Sequence, residues 1–246
     1  MQSAQTLDLA QPQARSVSPR QRMWRTFTRN RAAVLGLIMV LIVAAAALAA
    51  PLLSPHDPIK QEARERLSPP SDLHPLGQDD YGRDILSRLI YAARVSLLVG
   101  VLSVLLGGTL GTLMGLVAAY RGGLVENVIM RVVDTMLAFP DLITGLLVLA
   151  VLGAGLDKMI IAIGLVISPS FARLAHAPTL ALREKDFVSA ARCIGVSDLR
   201  MLRLHILPNI LGELLVMGSL WTASAIRIEA NLSFIGLGVA PPTPTW

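Results

Sequence analysis

Side chains able to do covalent, metal or nucleotide chemistry are scarce in this sequence. Cys193 is its single cysteine, so no intrachain disulfide and no cysteine-based metal cluster is expected. His176 and His205 border apolar runs without HxxxH or HExxH spacing, so neither is read as a metal ligand or catalytic base. Gly107, Gly111 and Gly115 form two overlapping GxxxG steps downstream of Gly100. No Lys-Ser or Lys-Thr closes that run, so it is not a phosphate loop, and no GxxxxGKS or GxxxxGKT occurs elsewhere. On a helix such a row lets a neighbouring backbone approach closely, so the three glycines are read as a packing seam. The expectation is no catalytic residue, no bound metal and no cofactor held directly. A membrane-embedded hydrolase would need a nucleophile–base or metal constellation, and none is visible.

The elements carrying these residues belong in a bilayer. The chain is 53% hydrophobic and only 16% charged, with a mean hydropathy of +0.59, whereas soluble domains are about a quarter charged. Several runs approach the roughly 20 apolar residues needed to span. The formal charge is +5, but the arginines flank apolar runs, which is an orientation signal rather than a phosphate-binding face. Three Trp without an aromatic-plus-basic stripe argue against nucleic acid.

Residues 1–31 form a basic segment with Arg15, Arg20, Arg22, Arg25, Arg29 and Arg31, expected on the cytoplasmic side. The transmembrane domain proper is then 32–246. Ala32–Ala50 is free of charge and reads as a first, uncleaved span; its small residues before Pro51 also resemble a signal-peptide cleavage site, but the apolar core is long for one. Residues 51–94 read as an external loop. Val95–Ala119 is the second span, followed by a tight turn at Gly122 and Gly123. The third is strongest from Leu142 to Leu152, with Pro140 as a kink and Arg131 and Asp134 paired on its approach. Met159–Ser170 is the fourth, ending near Arg173. Residues 173–208 form a basic cytoplasmic loop, and the fifth span runs from Pro208 to about Ile228. Arg227 and Glu229 fall near its outer end, where snorkelling suffices. Mid-span positions are nearly free of ionisable groups, which argues against a proton- or ion-coupled carrier. A secondary transporter or channel subunit not driven by ATP is the alternative reading.

Within 173–208, Phe187, Ala190, Ala191 and Ile194 recur at helical spacing. Gly195 stands where a helix end favours left-handed backbone. Ser197 suits an N-cap, Asp198 suits the first turn of a second short helix, and Pro208 suits the first residue of the following span. The second helix is expected to stop before Pro208. A helix–turn–helix elbow outside the membrane follows. Its small, apolar face suits either a groove in a partner protein or the lipid surface.

Ala190-Ala191, Gly195 and Leu207-Pro208 together resemble the cytoplasmic EAA loop of membrane subunits of ABC importers. Leu76-Gly77-Gln78-Asp79-Asp80-Tyr81-Gly82-Arg83-Asp84 with Ser87-Arg88 is similar to the signature of the dipeptide/oligopeptide/nickel permease family, C-type subunit. Leu137-Ala138-Phe139-Pro140, Leu232-Ser233-Phe234-Ile235-Gly236-Leu237-Gly238 and Pro241-Pro242-Thr243-Pro244 resemble it too. The match runs from about Arg22 onward. Ser189 replaces the glutamate that names the loop, and His205 stands at an isoleucine position. The resemblance implies an all-α type I ABC-importer transmembrane fold, here with five spans and the family's sixth absent after Trp246. It implies a bacterial inner-membrane location, N-terminus cytoplasmic, and a second, different permease subunit. It also implies two cytoplasmic ATPase subunits that use ATP and Mg, and an external solute-binding protein. Phe187, Ala190, Ala191, Ile194, Gly195, Leu207 and Pro208 would then couple to the ATPase.

Overall fold

A computed structural model describes residues 19–239 and 241–246; the first part of the basic segment, with Arg15, lies outside the described residues. The chain forms two compact units, Met1–Val43 and Ala44–Trp246. Helix α1 (Pro19–Arg29) lies in the first and leads into α2 (Arg31–Leu48), whose last residues belong to the second, as does the short α3 (Ala50–Leu53). The Asn30 side chain accepts from the backbone N–H groups of Ala32 and Ala33 at 3.1 and 3.2 Å, capping α2. Leu35, Ile38, Met39, Leu41 and Ile42 are exposed around that helix, a surface suited to lipid rather than water.

The second unit is built on two long helices, α4 (Ile85–Arg121) and α7 (Leu156–Arg183). They meet along the glycine row. A Cβ on Gly107 would overlap the Gly164 carbonyl oxygen, one on Gly111 that of Ser168, and one on Gly115 that of Ala172. Without a Cβ the backbones close up, and dispersion between them holds the pair. Gly100 faces elsewhere, with Ile226 and Thr222 of α10 (Leu207–Phe234) as its neighbours. In chain order α5 (Gly123–Leu137) and α6 (Asp141–Leu152) connect α4 to α7. Ile163, Ile167, Leu149 and Leu232 are fully buried among these helices.

Several expectations need correction. Helix α4 begins at Ile85, inside the stretch read as loop, because Asp84 caps it: its carboxylate accepts from the Ser87 N–H at 2.8 Å. Helix α7 continues past Arg173 to Arg183. Two internal prolines, Pro169 and Pro178, do not end it. Pro169 cannot bond the Leu165 carbonyl, and the Ser168 hydroxyl donates to that oxygen instead at 3.0 Å. Pro140 marks a break rather than a kink: α5 and α6 meet at 99°. At about 1.5 Å per residue, α6 alone is too short for a span of roughly 30 Å. Four described helical stretches are long and apolar enough to cross, and a fifth crossing needs α5 and α6 together. Asp134 pairs not with Arg131 but with Arg173 of α7. Glu229 does not snorkel: it is fully buried. It accepts from the Ser96 hydroxyl at 3.1 Å, which ties α10 to α4, and from the Ser233 hydroxyl of its own helix at 2.9 Å.

The loop before α4 is a folded clasp made largely of the Leu76–Arg88 motif. Asp79 accepts from the Tyr81 and Arg83 N–H groups at 2.9 and 3.0 Å and from the Arg83 guanidinium at 2.7 Å. Burial alone would raise its carboxyl, but those donors outweigh it and hold Asp79 below the usual carboxylate range. Its contribution is therefore present at neutral pH and fades only as the pH falls through that lowered value. Gly82 takes a positive φ of 70° and lies against Glu62, where a Cβ would collide with backbone. Arg88 donates to the Pro58 and Pro242 carbonyls, joining the clasp to the chain's final residues.

Candidate functional site

At the end of the bundle where α4 and α7 finish, the chain turns through α8 (Asp186–Cys193) and α9 (Asp198–Met201) into α10. Asp186 in the first turn of α8 and Arg192 in its last complement the helix dipole. Gly195 has φ +80°. Its N–H donates to Arg192 O at 2.9 Å and the Val196 N–H to Ala191 O at 3.1 Å, the paired bonds of a Schellman cap. Ser197 has extended backbone before α9 but makes no side-chain cap bond.

The expected apolar face is divided. Phe187 is 42% and Ile194 81% exposed, and Ala190 is exposed beside them. Ala191 turns toward the core. The residues that hold the elbow are Val188, Met201 and Ile206, all fully buried. Each such side chain contributes about 1.5–3 kcal/mol by leaving water. Leu207 packs against the core and Pro208 is exposed.

The second helix does not stop before Pro208. A π-helical turn, Leu202–Ile206, joins α9 to α10, with the Leu207 N–H bonded to Leu202 O. The wider turn accommodates a ring that would clash with the carbonyl four residues back. The Asn209 side chain donates to His205 O at 2.6 Å on the same turn.

Polar bonds fasten the elbow to α4. The Tyr120 hydroxyl donates to Asp198 Oδ1 at 2.9 Å, so Asp198 serves a partner across the bundle as well as its own helix start. The Arg192 guanidinium lies 5.2 Å over the Tyr120 ring. Arg183 donates to Ala119 O at 2.8 Å, satisfying a carbonyl left open at the end of α4. His176 Nε2 lies 2.7 Å from Glu126 Oε1, linking α7 to α5. Tyr120, Arg183, Val188 and Asp198 were not singled out as anchors from sequence. Tyr120 follows the glycine row at the helix end, which is the signal that could have found it.

Tyr120→Phe removes one bond to a charged acceptor, worth about 1.5 kcal/mol before solvent screening. Hydrogen exchange across 186–206 is expected to accelerate by several-fold, with the α4–α7 seam unchanged. Unchanged exchange in the elbow would remove Tyr120 from its support.

A multi-pass helical bundle with a close-packed glycine seam and a folded elbow at one end is the architecture of a membrane transport subunit. Residues 107–246 match the family model described as binding-protein-dependent transport system inner membrane component. Residues 18–70 match the N-terminal TM domain of oligopeptide transport permease C. The chain belongs to this family of inner membrane permease subunits of ABC importers. It is 41% identical to the di/tripeptide transport system permease protein DppC of Pseudomonas aeruginosa, over 93% of this chain and 78% of that protein. It is 39% identical to the dipeptide transport system permease protein DppC of Haemophilus influenzae, over 92% and 79%. It is 38% identical to the glutathione transport system permease protein GsiD of Pectobacterium atrosepticum, over 93% and 76%. In fold it is similar to an inward-facing MetNI methionine ABC transporter chain, with TM-score 0.53 and 18% identity, over 62% of this chain and 76% of the other.

Proposed function

We propose that this chain is a translocation-pore subunit of an ATP-driven importer for peptides or related small solutes, with the α8–α9 elbow as its coupling helix. The observation that carries the reading is exposed Phe187, Ala190 and Ile194 on an elbow whose Val188 and Met201 are buried and whose Arg192 and Asp198 hold Tyr120 of α4. An apolar patch held rigidly outside the spans suits a groove in a partner. Phe187, Ala190 and Ile194 seat on the ATPase subunit; Ala191, Gly195, Leu207 and Pro208 keep the elbow's shape. Arg121, Arg183, Lys185, Arg192, Arg200 and Arg203 cluster around this end, which supports a cytoplasmic elbow and N-terminus.

The complex would contain a second, different permease subunit, two cytoplasmic ATPase subunits using ATP and Mg, and an external solute-binding protein. Closure of the ATPase pair moves the elbow; its bond to Tyr120 passes the displacement to α4, and Arg183 at the end of α7 holds Ala119 so that α4 and α7 move as one body. The spans thereby shift between inward- and outward-open states. Peptide is favoured as substrate by the names of the relatives, two of which carry dipeptides or di/tripeptides.

Cys193 provides the test, being the sole thiol and exposed on α8. An impermeant maleimide is expected to label it in inside-out vesicles and not in right-side-out ones, with protection when the ATPase pair is bound. Labelling from the periplasmic side, or no protection, overturns the assignment.

A further inference from the structure

The clasp before α4 brings His56, His74 and Asp84 together from separate stretches of the loop. The His56 and His74 rings stack with centroids 4.4 Å apart and planes at 30°. His74 Nδ1 lies 2.9 Å from Asp84 Oδ1, and His56 Nδ1 lies 3.9 Å from Asp84 Oδ2. One ligand atom from each of the three residues lies within 4.8 Å of the other two. Asp84 is 3% exposed. His56 Nδ1 is buried and has no hydrogen-bond partner, although its backbone N–H is fixed by the Ser87 hydroxyl at 3.1 Å. A buried imidazole nitrogen left unpaired beside a carboxylate needs an explanation.

We propose that His56, His74 and Asp84 bind a divalent transition-metal cation of the zinc class. Two imidazole nitrogens with one carboxylate oxygen suit zinc, cobalt, nickel or copper(II) and not magnesium or calcium, which take oxygen ligands. With metal–ligand distances of about 2.0–2.2 Å, tetrahedral ligand atoms lie roughly 3.3 Å apart. His74 Nδ1 lies 2.9 Å from Asp84 Oδ1, and no two of the three residues' ligand atoms are more than 4.8 Å apart, so small side-chain rotations close the site. Asp84 Oδ1 is the ligand oxygen. Oδ2 keeps its bonds from the Ser87 N–H and hydroxyl at 2.8 and 2.6 Å, so α4 stays capped. A neutral His74 coordinates through Nδ1 and carries its one ring proton on Nε2. Glu65 Oε2 lies 3.9 Å from His74 Nε2 and is placed to orient that ring from its far side. The cation pins two distant parts of the loop to the start of α4. It is independent of the elbow and of any ATPase.

The test uses the full chain in detergent, stripped with chelator and dialysed against zinc chloride. One zinc per chain is expected, unaffected by excess magnesium. His56→Ala and His74→Ala are each expected to weaken binding at least tenfold. Of four histidines in the chain, the other two serve as controls: His176→Ala with His205→Ala leaves affinity unchanged. His56 makes no side-chain hydrogen bond, so its removal leaves the clasp's other bonds in place. Cobalt gives a second readout that needs no variant: cobalt held tetrahedrally by the three side chains and one water shows intense visible bands, and octahedral aquo cobalt shows only weak ones. Zinc bound at well below one per chain, full affinity in His56→Ala, or an aquo-type cobalt spectrum each overturns the site.

Discussion

Gly111→Leu is expected to prevent α4 and α7 from pairing, with loss of most folded protein from the detergent-solubilised fraction. Any Cβ at this position overlaps the Ser168 carbonyl oxygen and comes within 2.7 Å of Phe171 Cβ. A flexible side chain in the way could rotate, but a carbonyl within a helix moves only with its helix. The helices must separate, and Gly107 and Gly115 then lose their close approaches to Gly164 and Ala172 as well. Overpacking where neighbours can yield costs about 1–3 kcal/mol. Here the loss is expected to exceed about 4 kcal/mol, the range reserved for named core defects. A melting temperature lowered by roughly 10 °C or more is the minimum outcome. Gly212→Ala is the matched control. It sits on α10 with nothing within 4 Å of its Cβ position, and alanine gains up to about 1 kcal/mol of helix propensity. A Gly111→Leu chain melting within a few degrees of the parent would mean the seam is not as close as described.

The same seam explains why part of the fold is legible in the sequence. Glycines spaced four apart on an apolar helix have few uses other than close packing, so Gly107, Gly111 and Gly115 declare a neighbour without naming it. Gly195 is equally readable, because a glycine just after an amphipathic turn marks left-handed backbone. What escaped depended on the neighbour's identity. Nothing near Arg173 reveals that Asp134 meets it from another helix, so its charge reads as a membrane boundary although α7 runs on to Arg183. Pro169 looks like a helix breaker until the Ser168 hydroxyl is seen replacing the lost donor. Glu229 looks like an interfacial carboxylate because its partners, Ser96 and Ser233, are a distant residue and an unremarkable one. His56 and His74 lack motif spacing, and only the fold of the clasp brings them to Asp84. Local geometry is encoded locally; pairings across the bundle are not.

Gly195→Val is the substitution expected to separate transport from folding. At φ +80° a β-branched residue is strained, by about 2 kcal/mol. The space around the position is open, since no atom lies within 4 Å of the Cβ site. The penalty is therefore one of backbone conformation, and it falls on the Schellman bonds that end α8. The buried anchors Val188 and Met201 lie on either side of this turn, so the α4–α7 seam survives while the elbow frays. About 2 kcal/mol is a shift of more than tenfold in the balance between the formed and frayed elbow. In an assembly reconstituted with the proposed ATPase pair, solute uptake per ATP hydrolysed is expected to fall by up to that factor, with normal insertion and a normal melting profile. Asn tolerates left-handed backbone far better than valine, so Gly195→Asn should restore most of the uptake. A purely steric or surface role for the glycine would make Asn and Val equally harmful, because both place a Cβ in the same open space. Normal uptake in the valine variant would show that the elbow's shape does not transmit the ATPase stroke, and the coupling assignment would fall with it.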